Sequence, residues 1–283
     1  MPRPHVEFLQ AQALPWLPVG TAGFRPGADQ RLLSQDPDSD ASSNLLRYPE
    51  GWALQGAQRL ACDEELFVLH GQLVMGERRY GPGDYAYLPA GYRRPSLSAP
   101  GGAIALTFLE GRPQVLDPDD DRLLDPKTET IEQLRTGDQA WGGATEPAVA
   151  GPGVGRKLLK PDNALGERTW ILSMEGSEER PLEVNGIEQH PCVEEMYLLA
   201  GSFHMPCGVM RAGAYFWRPP MIKHGPMGAR EPFLALFRAK EGAFSTQWSG
   251  RGSPVPWDRP YRPTLPRGVA AEAVPEAACN RPW

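Results

Sequence analysis

A short segment occurs twice in the chain and determines how the rest of the sequence is interpreted. EELFVLHG stands at residues 64–71 and EEMYLLAG at residues 194–201, so the two segments lie 130 positions apart. The same offset relates four further pairs: Gly83 and Gly213, Tyr85 and Tyr215, Pro89 and Pro219, and Arg94 and His224. Nearer the N-terminus the offset falls to 125, between Trp16 and Trp141. The chain is therefore a tandem duplication of one structural unit.

Each copy has the sequence pattern of short β-strands. The repeated segments are apolar runs that begin after paired glutamates and end at Gly71 or Gly201. The later runs YAYL and YFWR are bounded by glycine on one side and proline on the other, which is typical of strands that end in tight turns. With 31 glycines and 31 prolines among 283 residues, the composition also predicts an all-β protein. The best candidate for a helix is the short segment Thr130–Arg135.

Composition and charge exclude several classes of function. The net charge is −6 and the sequence has no basic stripe, which argues against a nucleic-acid-binding protein. The longest apolar stretch, Ala103–Leu109, is too short to cross a membrane, and the N-terminus lacks the apolar segment of a secretory signal. The four cysteines form no CxxC pair, which is typical of reduced thiols. We therefore expect a cytoplasmic protein with neither a nucleic-acid nor a membrane partner.

The second copy contains four residues with the spacing of metal ligands. Glu188 and His190 are two positions apart, so on a strand they point to the same face. We expect a turn at Pro191 to bring Glu194 back toward them, and His224 follows the second apolar run after a further turn. Imidazole and carboxylate groups suit several divalent ions, iron, manganese and zinc among them. The sequence therefore predicts one metal site in this copy.

These residues make the chain similar to the cupin superfamily, whose two motifs read G-x5-H-x-H-x3,4-E-x6-G and G-x5-P-x-G-x2-H-x3-N. Six residues match the motifs position by position: His190, Glu194, Gly201, Gly213, Pro219 and His224. The strings GDYAYLPAG at residues 83–91 and GAYFWRP at residues 213–219 resemble bicupins grouped with ChrR-type cupin domains and DUF4437-like proteins. The resemblance covers residues 15–240 and implies two tandem cupin barrels, each a double-stranded β-helix or jelly roll.

The duplication and the resemblance together predict three regions. Residues 1–125 form an N-terminal cupin, residues 126–241 a C-terminal cupin, and residues 242–283 an extension rich in proline and aromatic residues that wraps the barrels. The acidic connector at residues 117–129 is expected to be a solvated linker. Aromatic pairs such as Tyr215 and Trp217 must pack against something, either the other barrel or a second chain in a homodimer.

Three departures from the cupin motifs leave the ligand set open. Glu188 stands in place of the first histidine, Gly228 in place of the final asparagine, and Met221 in place of the turn glycine. If Glu188 ligates, the site has two histidines and two glutamates, a set that favours Fe2+ or Mn2+ over copper. If Glu188 faces away, His190, Glu194 and His224 form a triad of two histidines and one carboxylate, as in non-haem Fe(II) oxygenases.

The first copy is an internal control for this site. Its residues at the four ligand positions are Gln58, Leu60, Glu64 and Arg94. Leucine cannot ligate a metal, and arginine places a fixed positive charge where a cation would bind. We expect Glu64 and Arg94 to form a salt bridge in place of the metal. The first copy has therefore lost its site, and the sequence predicts one divalent ion per chain.

Other residues near the predicted site have alternative roles. Strand alternation places Phe216 and Arg218 on one face, which by the cupin resemblance faces the barrel interior. Arg218 could bind the carboxylate or enolate of a substrate through paired hydrogen bonds, or it could form a rim salt bridge to Glu195. Cys192 is predicted to be a buried structural thiol, because Cys62 occupies the equivalent position in the copy without metal ligands.

The resemblance leaves three hypotheses for the function. The first is a metal-dependent enzyme, a non-haem Fe2+ dioxygenase or oxidoreductase that acts on a small oxygenated molecule such as a diketone or hydroxyketone. The second is a non-redox isomerase, lyase or aminohydrolase that uses Mn2+ or Zn2+. The third is a ChrR-like module that senses a small molecule or a redox signal. Such modules normally carry an attached helical domain, which the pattern of this sequence does not predict.

Overall fold

The computed structural model describes residues 3–117, 119, 129–143, 153–179, 182–250, 252–259 and 281–283. Within these residues the regular structure consists of strands and two 3-10 turns, at Ala11–Ala13 and Thr136–Asp138. The prediction of an all-β protein is therefore confirmed. No helix in this part of the chain is long and apolar enough to cross a lipid bilayer.

The strands follow the two copies of the sequence. The first twelve are β1 (Val6–Gln10), β2 (Leu17–Pro18), β3 (Asp29–Gln35), β4 (Ser42–Leu54), β5 (Arg59–Leu60), β6 (Glu64–Gly71), β7 (Leu73–Met75), β8 (Arg78–Tyr80), β9 (Asp84–Leu88), β10 (Leu97–Leu109), β11 (Val115–Leu116) and β12 (Ile131–Arg135). The remaining strands are β13 (Val154–Lys160), β14 (Arg168–Met174), β15 (Leu182–Val184), β16 (Ile187–Gln189), β17 (Val193–Ala200), β18 (Ser202–Met205), β19 (Gly208–Arg211), β20 (Ala214–Arg218), β21 (Met227–Ala229), β22 (Phe233–Lys240) and β23 (Gln247–Ser249).

The chain divides into two compact units. Unit 1 comprises the described residues of Met1–Arg3 and Pro15–Gln139. Its main sheet has the strand order β12-β9-β6-β10-β4-β3-β2, and the short strands β7 and β8 pair beside β10. An apolar core fills the unit, with Leu66 and Val68 on β6 and Leu88 on β9 among its buried members.

Unit 2 comprises the described residues of Pro4–Leu14 and Ala140–Trp283. A six-stranded sheet with the order β1-β20-β17-β22-β14-β13 and a four-stranded sheet with the order β15-β21-β18-β19 contribute the core. Met196, Phe216 and Phe233 from the larger sheet pack with Phe203 and Met210 from the smaller one. A separate two-stranded sheet, β16-β23, carries the first residue of the predicted metal site.

β1, the first strand of the first copy, pairs in unit 2 with a strand of the second copy. β12, the first strand of the second copy, pairs in unit 1 with a strand of the first copy. In unit 2, Val6 of β1 lies opposite Trp217 of β20. In unit 1, Ile131 of β12 lies opposite Tyr87 of β9. The two pairings are equivalent, because Val6 and Ile131 are 125 positions apart and their partners are 130 apart.

The best candidate for a helix, Thr130–Arg135, is not helical, because Ile131–Arg135 forms β12. The backbone of β12 forms hydrogen bonds to β9 rather than within its own segment. Its strand conformation therefore depends on residues more than 40 positions away in sequence. The aromatic pair Tyr215 and Trp217 is buried within the single chain, so it requires no second chain to cover it.

The repeated glycines act as the sequence indicates. Gly71 and Gly201 have φ angles of +71° and +75°, and each lies against a carbonyl oxygen that a Cβ atom would meet at about 2 Å. These two positions therefore require glycine. Most of the predicted linker at residues 117–129 and about half of the C-terminal extension lie outside the described residues. Where the extension is described, it forms β23 next to β16.

Candidate metal centre

Glu188 and His224 are held side by side by their own backbones. The N–H of each residue donates to the carbonyl oxygen of the other at 2.9 Å, which forms an isolated antiparallel bridge. Their side chains point the same way, since Nε2 of His224 lies 3.3 Å from Oε1 of Glu188. Glu188 thus faces the site, and the alternative in which it faces away does not describe this structure.

His190 and Glu194 complete the cluster from the other side of the turn at Pro191. Oε1 of Glu194 lies 3.7 Å from Nε2 of His190, and Oε2 lies 3.4 Å from Nε2 of His224. One ligand atom from each of Glu188, His190 and His224 lies within 4.8 Å of the other two, and all three residues are buried. The structure therefore brings together the four residues that the sequence predicts as ligands.

A strained turn delivers His224 to this position. Met221, which replaces the glycine of the cupin motif, has a φ of +68°, while the equivalent Gly91 in the first copy has +75°. The N–H of Met221 donates to the carbonyl oxygen of His190 at 2.7 Å, so the turn is tied directly to the site. A side chain in this conformation costs about 1–2 kcal/mol, which the surrounding contacts must offset.

The two imidazoles are oriented as metal ligands. Nδ1 of His190 lies 3.0 Å from the carbonyl oxygen of Ser245, and Nδ1 of His224 lies 3.0 Å from that of Ile222. A carbonyl can only accept, so each Nδ1 carries the proton when the ring is neutral and Nε2 has a free lone pair. Both Nε2 atoms are buried, and neither makes a hydrogen bond within the described part of the chain. This donor set of two imidazoles and two carboxylates fits a divalent ion such as Fe2+, Mn2+ or Zn2+.

The electrostatics of the cluster depend on Glu194. Burial alone would raise the pKa of this carboxyl, but the positive charges of His224 and Arg218 outweigh burial and lower its pKa to about 2. For His224, burial favours the neutral ring, yet the Glu194 carboxylate prevails and raises the pKa of the imidazole above its usual value. In the absence of a metal, a proton on His224 thus supplies positive charge that the carboxylates attract.

Arg218 is engaged by two carboxylates. Its Nη1 donates to Oε2 of Glu194 at 2.8 Å, and its Nη2 donates to Oε1 of Glu7 on β1 at 2.9 Å. The predicted salt bridge from Arg218 to Glu195 is wrong, because Glu195 accepts a hydrogen bond from Arg238 at 2.6 Å. These contacts support a role for Arg218 in positioning Glu194, while its contact with a substrate anion stays a prediction.

A cavity of about 80 Å³ adjoins the cluster. Glu188, His190 and Glu194 line it, and so do Phe216 and Arg218, as the predicted strand alternation requires. Most of the remaining wall is apolar: Trp170, Leu172, Met174, Phe203, Met205, Met227, Phe233, Phe237 and Phe244. Such a wall keeps bulk water away from the ligand atoms and strengthens electrostatic interactions there.

Sequence reasoning missed three residues that shape the site. Glu7 lies more than 200 positions from Arg218, and only the pairing of β1 with β20 brings it near. In the extension, Phe244 stacks on His190 with ring centroids 4.4 Å apart, and Ser245 supplies the carbonyl that orients the same ring. The aromatic residues of the extension were the available signal, but nothing in their spacing identifies the ring that they contact.

Cys192 lies between His190 and Glu194 in sequence but takes no part in the cluster. Its side chain is buried, and burial raises the pKa of the thiol to about 12. Cys62 in unit 1 is also buried and has its pKa raised to about 12, first by burial and then by Glu64. Both thiols are therefore protonated at neutral pH, in agreement with the prediction of a buried structural thiol.

The equivalent position in unit 1 holds an ion cluster in place of ligands. Nε of Arg94 donates to Oε2 of Glu64 at 2.8 Å, which confirms the predicted salt bridge. A second guanidinium, from Arg25, donates to both oxygens of the same carboxylate at 2.9 and 3.1 Å. Gln58 bridges to the backbone of Arg94 as Glu188 does to that of His224 in unit 2. Two fixed positive charges thus occupy the place where a cation would bind.

The comparison with family models identifies a cupin-like domain in the second half of the chain. Residues 135–244, which include the whole candidate centre, match the family described as the ChrR Cupin-like domain. None of the curated proteins matches the sequence.

Solved structures extend the likeness of fold to both halves of the chain. A protein of Nostoc punctiforme PCC 73102, provisionally described as a dioxygenase, is similar with a TM-score of 0.76 and 18% identity. The match covers 88% of this chain and 92% of that one. A variant of the oxalate decarboxylase of Bacillus subtilis is similar with a TM-score of 0.55 and 14% identity, over 85% of this chain and 78% of that one. At these identities the likeness establishes the fold alone.

The ion cluster of unit 1 predicts a large effect of removing one arginine. Arg94→Met leaves the buried Glu64 carboxylate short of a partner, and should lower the free energy of unfolding by about 3 kcal/mol or more. Arg47→Met is the control, because it breaks a half-exposed pair with Asp29 and should cost less than about 1 kcal/mol. Denaturant-induced unfolding measures both values, and equal effects of the two substitutions would contradict the interpretation.

The raised pKa of His224 predicts how metal affinity changes with pH. A protonated imidazole cannot ligate, and the metal-free His224 stays protonated above its usual pKa of 6.5. The apparent affinity for Mn(II) should therefore rise as pH increases through this range, by at least about tenfold from pH 6 to pH 8. Equilibrium dialysis at the two pH values measures the change. The same affinity at both would show that no proton is displaced.

Proposed function

We propose that unit 2 is a metal-dependent enzyme whose divalent ion is held by Glu188, His190, Glu194 and His224. The observation that carries the proposal is the pair of buried Nε2 atoms, which face two carboxylates while each Nδ1 is fixed by a backbone carbonyl. Outside metal sites, a buried nitrogen without a hydrogen bond costs free energy and is rare. Metal ligation accounts for two such atoms in one cluster.

The formal charge of the cluster supports a divalent ion. Glu188, Glu194 and Glu7 are three carboxylates near one guanidinium, that of Arg218, so with neutral histidines they leave a net charge of −2. Glu188 and Glu194 are buried, whereas the Glu7 side chain is 31% exposed. Excess negative charge on the buried carboxylates destabilises the folded protein unless a cation neutralises it. The two positive charges of a divalent ion balance this net charge of −2, and the ion takes the place of the proton on His224.

The reaction that we favour is that of a non-haem Fe(II) dioxygenase or oxidoreductase acting on a small diketone or hydroxyketone. A bound Fe(II) ion would supply redox chemistry and Lewis acidity at open coordination positions. The chain supplies the apolar wall that excludes water, and the Ser245 and Ile222 carbonyls keep both rings in one orientation. The structural likeness to the protein described as a dioxygenase is in keeping with this reaction.

A second candidate is non-redox chemistry with Mn(II) or Zn(II), such as that of an isomerase, lyase or aminohydrolase. The second carboxylate of the cluster is in keeping with it, because carboxylate oxygens suit a hard ion such as Mn(II). A structure of the Bacillus subtilis oxalate decarboxylase, 14% identical with a TM-score of 0.53, is described as having Mn(II) centres.

The domain organisation that goes with this function is a pair of tandem cupin barrels, the first without a metal. The repeat, the equivalent strands β6 and β17 and the ion cluster at Glu64 support it. The sequence regions that we propose for the two copies are residues 1–125 and 126–241, with the extension at residues 242–283. The compact units differ from these regions at their first strands, because β1 belongs to unit 2 and β12 to unit 1.

The proposal predicts one metal ion per chain. Purified protein should bind one Mn(II), and His190→Ala should reduce the content to near zero because it removes an oriented ligand. His70→Ala changes an exposed histidine of unit 1 and should leave the content unchanged. Elemental analysis after dialysis measures all three proteins. Two ions per chain, one of them lost on Glu64→Gln, would contradict the proposal.

The choice between the two reactions is tested by oxygen consumption. Protein loaded anaerobically with Fe(II) should consume O2 when small diketones or hydroxyketones are added, as followed with an oxygen electrode. His224→Ala should abolish the uptake, and the Zn(II)-loaded protein should show none. Turnover by the Mn(II) or Zn(II) form without O2 uptake would favour the second candidate, and no uptake with iron bound would contradict the first.

A further inference from the structure

Unit 1 contains a cavity of about 310 Å³, larger than the one beside the candidate metal centre. Strands β3 and β4 form one wall of it, with Gln30 and Leu32 on the first and Ser42 and Asn44 on the second. Residues from the segments 20–24 and 109–113 supply most of the remaining lining. The cavity therefore lies wholly within unit 1.

The wall formed by β3 and β4 is equivalent to a wall of the cavity beside the metal centre. Leu32 pairs with Asn44 across β3 and β4, just as Leu158 pairs with Trp170 across β13 and β14, 126 positions further along the chain. The same offset relates three residues that line the first cavity to three that line the second: Gln30 to Arg156, Ser42 to Arg168, and Asn44 to Trp170. Both copies thus keep a cavity against this pair of strands but line it with different side chains.

The ion cluster of unit 1 does not reach this cavity. Phe24 lines it and belongs to the buried core, and the guanidinium carbon of Arg25 lies 5.0 Å from the centroid of the Phe24 ring. The same guanidinium donates to Glu64, which is not among the lining residues. A ligand in the cavity would contact neither the buried carboxylate nor its two arginines.

Several polar groups that line the cavity have no partner in the described part of the chain. Asn44 is only 2% exposed, and Nδ2 of its carboxamide donates to Oγ of Ser42 at 2.9 Å. Its Oδ1 makes no hydrogen bond with a described residue, and neither do the side chains of Gln30 and Arg112. A buried amide oxygen without a donor costs free energy, which a ligand that donates hydrogen bonds would remove.

The described lining of the cavity is formally neutral. Its two charged residues, Asp40 and Arg112, have opposite signs, and Asp40 accepts a hydrogen bond from Nε2 of Gln35 at 3.0 Å. The other polar side chains are three carboxamides and two hydroxyls, from Thr21, Gln30, Gln35, Ser42 and Asn44. Each of these groups both donates and accepts hydrogen bonds, as the hydroxyl groups of a polyol do.

The apolar part of the lining and the volume agree with such a ligand. Phe24, Leu32 and Leu109 line the cavity, and Leu32 is 40% exposed, so a carbon skeleton that packs against it would cover apolar surface. The volume of about 310 Å³ is about twice the roughly 150 Å³ of a cavity that holds benzene, and a hexose has about twice as many non-hydrogen atoms as benzene.

We propose that the cavity of unit 1 binds a neutral, polyhydroxylated molecule of the size of a monosaccharide. The carboxamides and hydroxyls exchange hydrogen bonds with its hydroxyl groups, and the apolar residues pack against its carbon skeleton. The proposal goes beyond the metal-dependent reaction of unit 2 and does not depend on it. The copy without a metal is then a binding site of its own.

Isothermal titration of the full-length protein tests the proposal with a panel of D-glucose, D-galactose, D-mannose, D-xylose and myo-inositol. At least one of these probes should bind, with one molecule per chain and a dissociation constant below about 1 mM. Gln30→Met keeps the length of the side chain but removes its hydrogen bonds, so it should weaken binding at least about fivefold, and Asn44→Leu should do the same. Gln55→Met changes an exposed glutamine of unit 1 outside the cavity and should leave the affinity unchanged.

Two results would overturn the proposal directly. One is that no probe of the panel binds. The other is that the probe binds with the same affinity to wild type, Gln30→Met and Asn44→Leu, with an unchanged unfolding midpoint showing that each variant has folded. Glycine and L-alanine are the charged comparison, because a zwitterion pairs with both Asp40 and Arg112. Binding of an amino acid without binding of a polyol would show that the ligand class is wrong.

A metal-free variant separates this site from the candidate metal centre. His190→Ala removes an oriented ligand of that centre and should leave the affinity for the polyol unchanged, since the residue does not line the cavity of unit 1. Absence of a metal in the wild type would therefore contradict the proposed function alone. Loss of polyol binding in His190→Ala would place the polyol in unit 2 and overturn the site in unit 1.

Discussion

Each unit buries a carboxylate at the start of a strand inside its main sheet, and this charge must be neutralised. In unit 1 the carboxylate of Glu64 lies between the guanidinium groups of Arg25 and Arg94. In unit 2 the equivalent Glu194 has one guanidinium, from Arg218, and the two imidazoles of the cluster. Because Glu64 and Glu194 begin equivalent strands of the two copies, β6 and β17, the partners of this glutamate decide whether the interior is a closed ion cluster or a site for a cation.

In unit 2 a single guanidinium must balance more than one carboxylate, and the remaining features of the site are related to this excess of negative charge. Glu188 adds a second carboxylate to the cluster, and Glu7 engages the far side of Arg218. The backbone carbonyls that hold each Nδ1 direct both Nε2 atoms toward the carboxylates. Polar groups therefore converge at one end of an otherwise apolar cavity, an arrangement typical of small-molecule sites.

The sequence predicts the parts of the site that depend on local periodicity. Glu188 and His190 could be placed on one face from a spacing of two, and the comparison of copies indicates which unit lacks ligands. The segment Thr130–Arg135 is only a candidate helix in the sequence, because six residues are too few for a period to distinguish helix from strand. Glu7 and Ser245 could not be found, since their contacts depend on strand pairings between distant segments and, for Ser245, on a backbone carbonyl that carries no sequence signal.

The pairing of β1 and β12 has a consequence for how the protein could be divided. A cut between the two copies would leave residues 1–125 with β1 but without β12, so that β9 would lose its outer neighbour. The second fragment would have β12 but no β1, and β20 would be left as an open edge. Exposed strand edges of this kind invite aggregation. Neither fragment coincides with one of the compact units, and expression of both together would be needed to supply β9 and β20 with their outer neighbours.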